Sequence, residues 1–277
     1  MKLLKKIRFP KLGQQSPPEQ FSEYETSYPI LQNAVDALPG WNHAFPPEMG
    51  ISAGHSALSK DTRIQWLIDE LGTLENMQVL ELGPLEGWHT RMLQNAGAKL
   101  IDAVEAHKTA FMRCLVVKNA CHLNRAQFHL GDFIKWMENP PRKYDLVVAS
   151  GVLYHMKDPL NLLELMSKNA DTVFLWTHYF SDEEMPIDDS RRTAIMNNVV
   201  VSEFHGEKIR MYPRSYYNAW ELQNFCGGPE DLHYWIEKED ILKALRALGY
   251  NQIDVDQEMP DHPNGPSFCV LARRNQD

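Results

Sequence analysis

Along most of the chain, the pattern of apolar and polar positions changes repeatedly between one typical of strands and one typical of helices. From residue 78 to residue 178, short apolar runs alternate with segments in which apolar residues recur every three or four positions. The short runs predict strands and the longer segments predict helices, so the alternation predicts a parallel sheet covered by helices on both faces. The predicted strands cover 78–82, 100–105, 126–131, 144–150 and 172–178, and the predicted helices cover 88–96, 108–121, 133–138 and 159–169.

Two helices carry recognisable start and stop signals. Asp61 precedes an amphipathic segment that ends before Gly72, which predicts a helix between a capping carboxylate and a terminating glycine. Asp158 and Pro159 open the segment 159–169, where they supply a cap and a first-turn proline.

The end of the chain departs from the alternation. A predicted helix over 238–248 leads to a strand over 251–257, and only a loop containing Asn264-Gly265 separates this strand from another over 267–273. Because two strands joined by a turn without a helix run antiparallel, the sheet is predicted to end in one antiparallel hairpin.

The remaining segments divide the chain into three parts. Residues 1–58 are rich in prolines and predict an N-terminal arm with one short helix between Ile30 and Leu38; its basic start, 1–11, is interpreted as a solvated terminus. Residues 59–180 and 237–277 form the predicted core. Residues 181–236 form an insertion, first acidic and then rich in arginine and aromatic residues. An insertion after the fifth strand is expected above the carboxyl edge of the sheet.

Size and composition limit the class of protein. The 277 residues are 43% hydrophobic, which suits one α/β core with an embellishment. The net charge of −9 argues against broad affinity for nucleic acid, and no apolar run approaches the ~18 residues of a membrane span. The four cysteines form no CxxC pair and the histidines show no ligand spacing, so we expect no metal site and a reducing, cytoplasmic setting.

The segment 81–87, ELGPLEG, is the strongest chemical signal. It brings a buried strand into a turn with glycines only at Gly83 and Gly87, which fits neither a dinucleotide site nor a phosphate-binding loop. A second acid, Glu105, ends the next predicted strand. An acid before the first glycine, with few glycines after it, suits a cationic cofactor that carries no phosphate.

These residues resemble the first motifs of the class I methyltransferases that use S-adenosylmethionine (SAM). The resemblance implies a Rossmann-like seven-stranded sheet, mostly parallel, with strand order 3-2-1-4-5-7-6 and an antiparallel terminal hairpin. It implies that Gly83 and Gly87 let the backbone approach the cofactor, that Glu81 organises the turn, and that Glu105 binds both ribose hydroxyls. The alternatives are that Glu81 only caps a helix and that Glu105 is a surface acid.

Two further segments, FHLGDF at 128–133 and YDLVVASGVLYH at 144–155, resemble later motifs of the same family. They imply that Asp132 meets the adenine amino group and that Phe133 either lies against the ring or belongs to the core. They also place the end of the fourth strand, at Ser150, against the ammonium group of the cofactor. Tyr154 and His155 follow as the candidate catalytic residues.

His155 has two interpretations. Its imidazole could act as a general base near neutral pH, or it could only order the loop while positioning supplies the catalysis. In the insertion, Arg210, Tyr212 and Tyr216 are the candidate acceptor-binding residues, although such side chains can also form the insertion's own small core.

Three functions remain open from the sequence. The first is a methyltransferase that acts on an oxygen or nitrogen of a small molecule. The second is an enzyme of the tRNA wobble uridine, because GVLYH followed by Asp158-Pro159 resembles the bacterial enzymes that use a carboxylated SAM. Two features argue against this second function: the first motif lacks the Asp-x-Gly-x-Gly pattern of those enzymes, and the chain has a net negative charge. The third is a SAM-binding partner protein without catalysis.

Overall fold

The computed structural model describes residues 24–58, 60–196, 198–222 and 225–275. The basic segment 1–11 and most of the predicted arm's first half lie outside this part of the chain. In the described residues the strands form two sheets, one of seven strands and one of three. The strands are β1 Gln78–Leu82, β2 Leu100–Glu105, β3 Ala126–Leu130, β4 Leu146–Ser150, β5 Thr172–His178, β6 Val200–Phe204, β7 Glu207–Arg214, β8 His233–Ile236, β9 Gln252–Met259 and β10 Ser267–Arg273.

The larger sheet has the order β3-β2-β1-β4-β5-β10-β9. β1 to β5 pair in parallel, whereas β10 is antiparallel to both β5 and β9. Counted within the core alone, this is the predicted order 3-2-1-4-5-7-6, and the predicted Rossmann-like fold is confirmed. The antiparallel strand lies in the sheet where the turn at Asn264-Gly265 predicts it.

The helices begin and end close to the predicted positions. Asp61 accepts a hydrogen bond from the backbone N–H of Arg63, and Asp158 accepts one from the backbone N–H of Asn161, so both predicted caps are present. The helices are α1 Leu31–Asp36, α2 Thr62–Leu71, α3 Trp88–Asn95, α4 Lys108–Ala120, α5 Phe133–Glu138, α6 Pro159–Asn169 and α7 Lys238–Ala247.

Both faces of the larger sheet are buried. Along β4, Val147 and Ala149 belong to one apolar cluster with α6 and α7, while Leu146 and Val148 belong to a second cluster with α2, α3 and α4. Because side chains alternate between the faces of a strand, one run of apolar residues supplies both layers. This explains why the strands of the core are continuous apolar runs in the sequence.

The insertion folds into a three-stranded antiparallel sheet of order β6-β7-β8, which the sequence analysis did not predict. His205 and Gly206, both with positive φ, form the tight turn between β6 and β7. The small sheet is linked to the core by a bridge between Phe180 and Glu237. It therefore begins and ends at the carboxyl end of β5.

Candidate functional site

The turn between β1 and α3 lies where the order of the sheet reverses, between β1 and β4. Gly83 and Gly87 have φ angles of 62° and 80°, in the left-handed region that glycine enters without strain. A Cβ atom on Gly83 would lie 3.5 Å from Val152, in the loop after β4. The bare backbone of the turn therefore borders the crevice in which open α/β sheets bind their ligands.

Glu81 is a buried acid at the end of β1. Its carboxylate accepts a hydrogen bond from the hydroxyl of Thr90, and none of the ion pairs among the described residues involves it. Burial, with a smaller contribution from the charge of Glu105, raises the pKa of Glu81 to about 7. An uncompensated acid at this position favours the binding of a cation.

Glu105 ties the glycine turn to the end of β2. Its Oε2 accepts the backbone N–H of Leu85 at 3.0 Å, and its Oε1 accepts the backbone N–H of His107 at 2.8 Å. Burial raises the pKa of this carboxyl as well. Because each carboxylate oxygen can accept a second hydrogen bond, both remain able to bind a ligand hydroxyl.

Asp132, Phe133 and Ser150 lie at the ends of the neighbouring strands. Asp132 is exposed and caps α5 through its Oδ1, which accepts the N–H of Ile134 at 2.8 Å. Phe133 is partly buried against the apolar cluster of α6 and α7, as its core interpretation predicts. The Ser150 hydroxyl is buried and has no hydrogen-bond partner in the described part of the chain.

Tyr154 and His155 lie in a short 3-10 helix, Leu153–His155, directly after β4. The ring of Tyr154 packs against the rings of His155 at 4.1 Å and His178 at 4.6 Å. Trp176 and Trp235 lie at its edges, at 5.9 Å and 6.3 Å between ring centroids. The predicted catalytic pair is therefore embedded in an aromatic cluster that joins the core to the insertion.

Tyr216 of the insertion holds His155 in place. Its hydroxyl lies 2.6 Å from His155 Nδ1 and accepts the backbone N–H of Gly228 at 2.9 Å. No other acceptor for the hydroxyl proton of Tyr216 is present among the described residues. The hydroxyl of Tyr216 therefore donates its hydrogen bond to Nδ1 of His155. The proton of the neutral His155 ring is then on Nε2, which becomes a hydrogen-bond donor.

The imidazoles of this cluster are neutral at physiological pH. Burial and the neighbouring His233, His178 and Arg214 lower the pKa of His155 to about 3. Burial likewise lowers the pKa values of His178 and His233 to about 4. A ring with so low a pKa is a weak proton acceptor, which favours the positioning interpretation of His155 over the general base.

The structure does not bring Arg210 to the cluster around His155, and Tyr212 adjoins it only through Trp235, with which it shares a small apolar core. Arg210 is exposed and forms ion pairs with Glu237 at 2.7 Å and Asp240 at 3.0 Å. Tyr212 stacks on Phe180 with 3.6 Å between centroids and donates a hydrogen bond to Glu237. Both have partners within the small sheet and its junction with α7, as the alternative of a structural core in the insertion predicts.

Several site residues were missed from the sequence. His178 and His233, far apart in the chain, meet at the cluster, where His178 stacks on Trp235 at 5.3 Å and His233 stacks on Tyr216 at 4.1 Å. Arg214 lies over Trp235 at 4.6 Å. No local signal identifies these residues, because only the folded insertion brings β8 to the end of β5.

Glu86, inside the glycine turn, was also missed. Its buried carboxylate accepts the backbone N–H groups of Asn42 and His43 and lies 2.8 Å from Nδ1 of His43. Arg113 of α4 lies 3.6 Å from the same carboxylate. Glu86 therefore fastens the N-terminal arm to the turn that borders the crevice.

Among the described residues we searched for clusters that could bind a metal ion and for helices that could cross a membrane. No group of three or more His, Cys, Asp or Glu side chains suited to a metal ion occurs in residues 24–58, 60–196, 198–222 and 225–275. Across the same residues, the helices are too short or too polar to cross a membrane.

Comparisons with known proteins agree with the fold. The family described as a methyltransferase domain matches residues 59–255. A solved structure of the N-terminal domain of EvdMO1, in the presence of SAH and D-fucose, superimposes with a TM-score of 0.66 at 20% identity, over 89% of this chain and 96% of that one. At this identity the likeness shows a shared fold.

The chain also matches curated proteins, but only over part of their length. The tRNA U34 carboxymethyltransferase of Cellvibrio japonicus (strain Ueda107) is 26% identical over 185 residues, which is 63% of this chain and 55% of that protein. The corresponding protein of Colwellia psychrerythraea (strain 34H / ATCC BAA-681) is 26% identical over 48% of this chain and 42% of its own length. The chain thus spans about half the length of the curated relatives it matches.

Proposed function

This chain belongs to the family of methyltransferase domains, and we propose that it transfers a methyl group from SAM to an oxygen or nitrogen of a small-molecule acceptor. The observation that carries the proposal is the meeting of the glycine turn after β1 with the loop after β4, which has the buried Glu81 and Glu105 on one side and the Tyr154–His155 cluster on the other. Donor and acceptor would meet where these two sides adjoin.

The acids of the crevice fit a cationic donor. SAM supplies a methyl group on a positively charged sulfur, so the chain needs to bind and align rather than to activate. Glu81 offers an uncompensated carboxylate at the glycine turn, and Glu105 offers two oxygens already fixed by backbone N–H groups. Asp132 would accept from the adenine amino group, and Ser150 has an unused buried hydroxyl at the end of β4.

The aromatic cluster fits the side on which the acceptor enters. Tyr154 is held by aromatic and imidazole rings, so its position is fixed before the acceptor arrives. His155, held by Tyr216, presents its Nε2 N–H as a donor that can orient an acceptor oxygen or nitrogen. The acceptor proton would then leave to solvent after transfer, and His155 would act by positioning.

Binding of the product SAH tests the donor site. We expect Glu105→Ala to weaken SAH on the order of 100-fold, because two charge-assisted hydrogen bonds to the ribose are lost. Glu138→Ala, an exposed acid at the end of α5, is the matched control and should bind as the wild type does. Equal affinity of the wild type and Glu105→Ala, measured by calorimetry, would remove the ribose assignment.

A tRNA acceptor is the second candidate, and the relatives named tRNA U34 carboxymethyltransferase favour it. The net charge of −9 is the observation against it, since binding to tRNA depends on neutralising phosphates. Transfer from carboxylated SAM into bulk tRNA, at a higher rate than methyl transfer into low-mass acceptors, would support this alternative.

A further inference from the structure

Arg214, at the end of β7, is a partly buried cation without an ion-pair partner among the described residues. Its Nε atom is buried and has no hydrogen-bond partner, and none of the ion pairs among the described residues includes its guanidinium. The group lies over the ring of Trp235, 4.6 Å from the ring centroid. Burial lowers the pKa of Arg214, and the neighbouring Tyr216 and Tyr154 act in the opposite direction.

Each of the other arginines of the insertion forms an ion pair with an acidic side chain. Arg191 pairs with Asp189 at 2.7 Å, Arg192 with Asp182 at 2.7 Å, and Arg210 with Glu237 and Asp240. Arg214, in contrast, has no such partner among the described residues. A partly buried charge without a partner remains available for a ligand of opposite sign.

No carboxylate among the described residues forms an ion pair with Arg214. Asp231, in the loop before β8, instead accepts hydrogen bonds from the hydroxyl of Ser215 and the backbone N–H of Tyr216. The neighbours of Arg214 include Tyr154, Tyr216 and the ring of Trp235. The N–H of Trp235 is itself buried without an acceptor.

Arg214 lies on the side proposed for the acceptor and not beside the acids proposed to bind SAM. Trp235, on which it lies, stacks on His178 at the end of β5 and borders the ring of Tyr154. The acids that fit SAM lie instead at the ends of β1 and β2. A planar guanidinium on an indole also presents its N–H fork to a carboxylate or phosphate in a fixed orientation.

We propose that Arg214 binds an anionic group, a carboxylate or a phosphate, of the methyl acceptor. This inference rests on the proposed function, because it takes the cluster around Tyr154 as the acceptor side of the crevice. The acceptor class is then an acidic small molecule whose charge is held by Arg214 and Trp235 while its reacting atom lies beside Tyr154 and His155.

The test uses the full chain saturated with SAH and two probes, inorganic phosphate and acetate, at constant ionic strength against chloride. Melting temperatures are recorded for the wild type, Arg214→Gln and Arg214→Lys. Arg246→Gln is the control, because Arg246 is exposed on α7, away from the cluster. Binding of SAH itself is measured first, since its failure would contradict the proposed function and not this inference alone.

We expect at least one anion to raise the melting temperature of the wild type and of Arg246→Gln. Arg214→Gln should lose this response relative to its own melting temperature in chloride, and Arg214→Lys should keep part of it. A response to phosphate alone would identify a phosphorylated acceptor, and a response to acetate a carboxylate.

Two results in this assay would overturn the inference. They are the same anion response in Arg214→Gln as in the wild type, or no anion response in any form. A loss of SAH affinity in Arg214→Gln with an unchanged anion response would likewise contradict it, because Arg214 would then serve the donor.

Discussion

At the scale of single residues, the site depends on acids whose charge is costly in the empty protein. Glu81 and Glu105 are both buried at the ends of adjacent strands, and burial raises the pKa of each carboxyl. Neither forms an ion pair with a cationic side chain of the described residues. A bound cation would stabilise the ionised form of both, so donor binding and ionisation are linked.

This linkage predicts a pH dependence of donor binding. The pKa of Glu81 is about 7 in the empty protein against an ordinary 4.5, so Glu81 is protonated below pH 7 and the cationic donor must displace that proton. SAM affinity should therefore fall as the pH is lowered from 7 to 5.5, by up to about tenfold per pH unit. The same raised pKa makes Glu81 destabilise the empty fold increasingly as the pH rises from 4.5 through 7.

Glu81→Gln should remove most of this dependence, while Glu138→Gln should retain it. Calorimetric titration of each form with SAM at several pH values provides the measurement. Identical slopes for the wild type and Glu81→Gln would show that another group is responsible.

A second prediction separates the two interpretations of His155. If His155 acts by positioning, Gln can replace it, because its amide oxygen accepts from Tyr216 and its amide nitrogen donates as Nε2 does. We expect His155→Gln to keep the single-turnover rate within about tenfold of the wild type, and His155→Ala to lose more. A general base contributes about 10²- to 10⁴-fold.

Equal losses in both variants, together with the disappearance of an acidic limb from the pH–rate profile, would restore the general base. Tyr216→Phe serves as an independent probe, since it leaves His155 in place and removes the hydrogen bond to its Nδ1, together with the one from the backbone N–H of Gly228.

Sequence reasoning named the residues at strand ends, but of the insertion residues bonded to His155 it named only Tyr216 and it did not single out Arg214. Glu81, Glu105 and Tyr154 lie at or just beyond the carboxyl ends of parallel strands, which meet at one edge of the sheet, so their spacing in the sequence is enough to bring them together. Arg210 and Arg214 lie on the same strand, and their exposure is set by what packs on each end of β7. No periodicity in the sequence distinguishes the paired, exposed Arg210 from the partly buried, unpaired Arg214.

At the scale of elements, the glycine turn and the N-terminal arm form one unit. Glu86 accepts two backbone N–H groups of the arm and contacts the ring of His43, while Arg113 of α4 donates to the carbonyl of Pro39. Phe45 of the arm packs edge-on against Trp88 of α3, with 5.0 Å between centroids. The arm therefore rests on the same turn that borders the crevice.

Loss of the Glu86 charge should loosen this unit. In Glu86→Gln the amide N–H₂ faces backbone donors, so the free energy of unfolding should fall by about 2–3 kcal/mol. Denaturant titration measures the change, and SAH affinity should fall with it because the turn loses its support. Glu70→Gln, an exposed acid on α2, is the control and should change stability by less than about 0.5 kcal/mol.

An unchanged unfolding free energy in Glu86→Gln would mean that the arm is held by its apolar contacts alone. Limited proteolysis of the arm in the two variants would then give the same cleavage rate.

The elements of the core were predictable, whereas those of the insertion were not. The core strands are buried on both faces, so their apolar runs are long and their bounds agree with the structure within a few residues. In β6, only alternate residues are partly buried, and in β7 the buried positions are interrupted by charged ones. A half-buried strand with exposed Val201 and Glu203 resembles a polar loop in sequence.

At the scale of the whole molecule, the order of the sheet follows from connections that the sequence displays. Helical crossovers make β1 to β5 parallel, and the helix-free turn between β9 and β10 makes the last pair antiparallel. The position of the small sheet follows from its link to β5 and α7. Together they place the buried Glu81 and Glu105 at the ends of β1 and β2, and the aromatic cluster with Arg214 beyond the ends of β4 and β5.

Transfer of a labelled methyl group into a fractionated cell extract tests this account most directly. The wild type and Glu105→Ala are incubated with methyl-labelled SAM and extract, with and without ribonuclease, and the products are separated by mass. We predict label in a low-mass fraction, insensitive to ribonuclease and absent with Glu105→Ala. Label only in a high-mass fraction that ribonuclease removes, or no label despite bound SAM, would contradict a small-molecule methyltransferase.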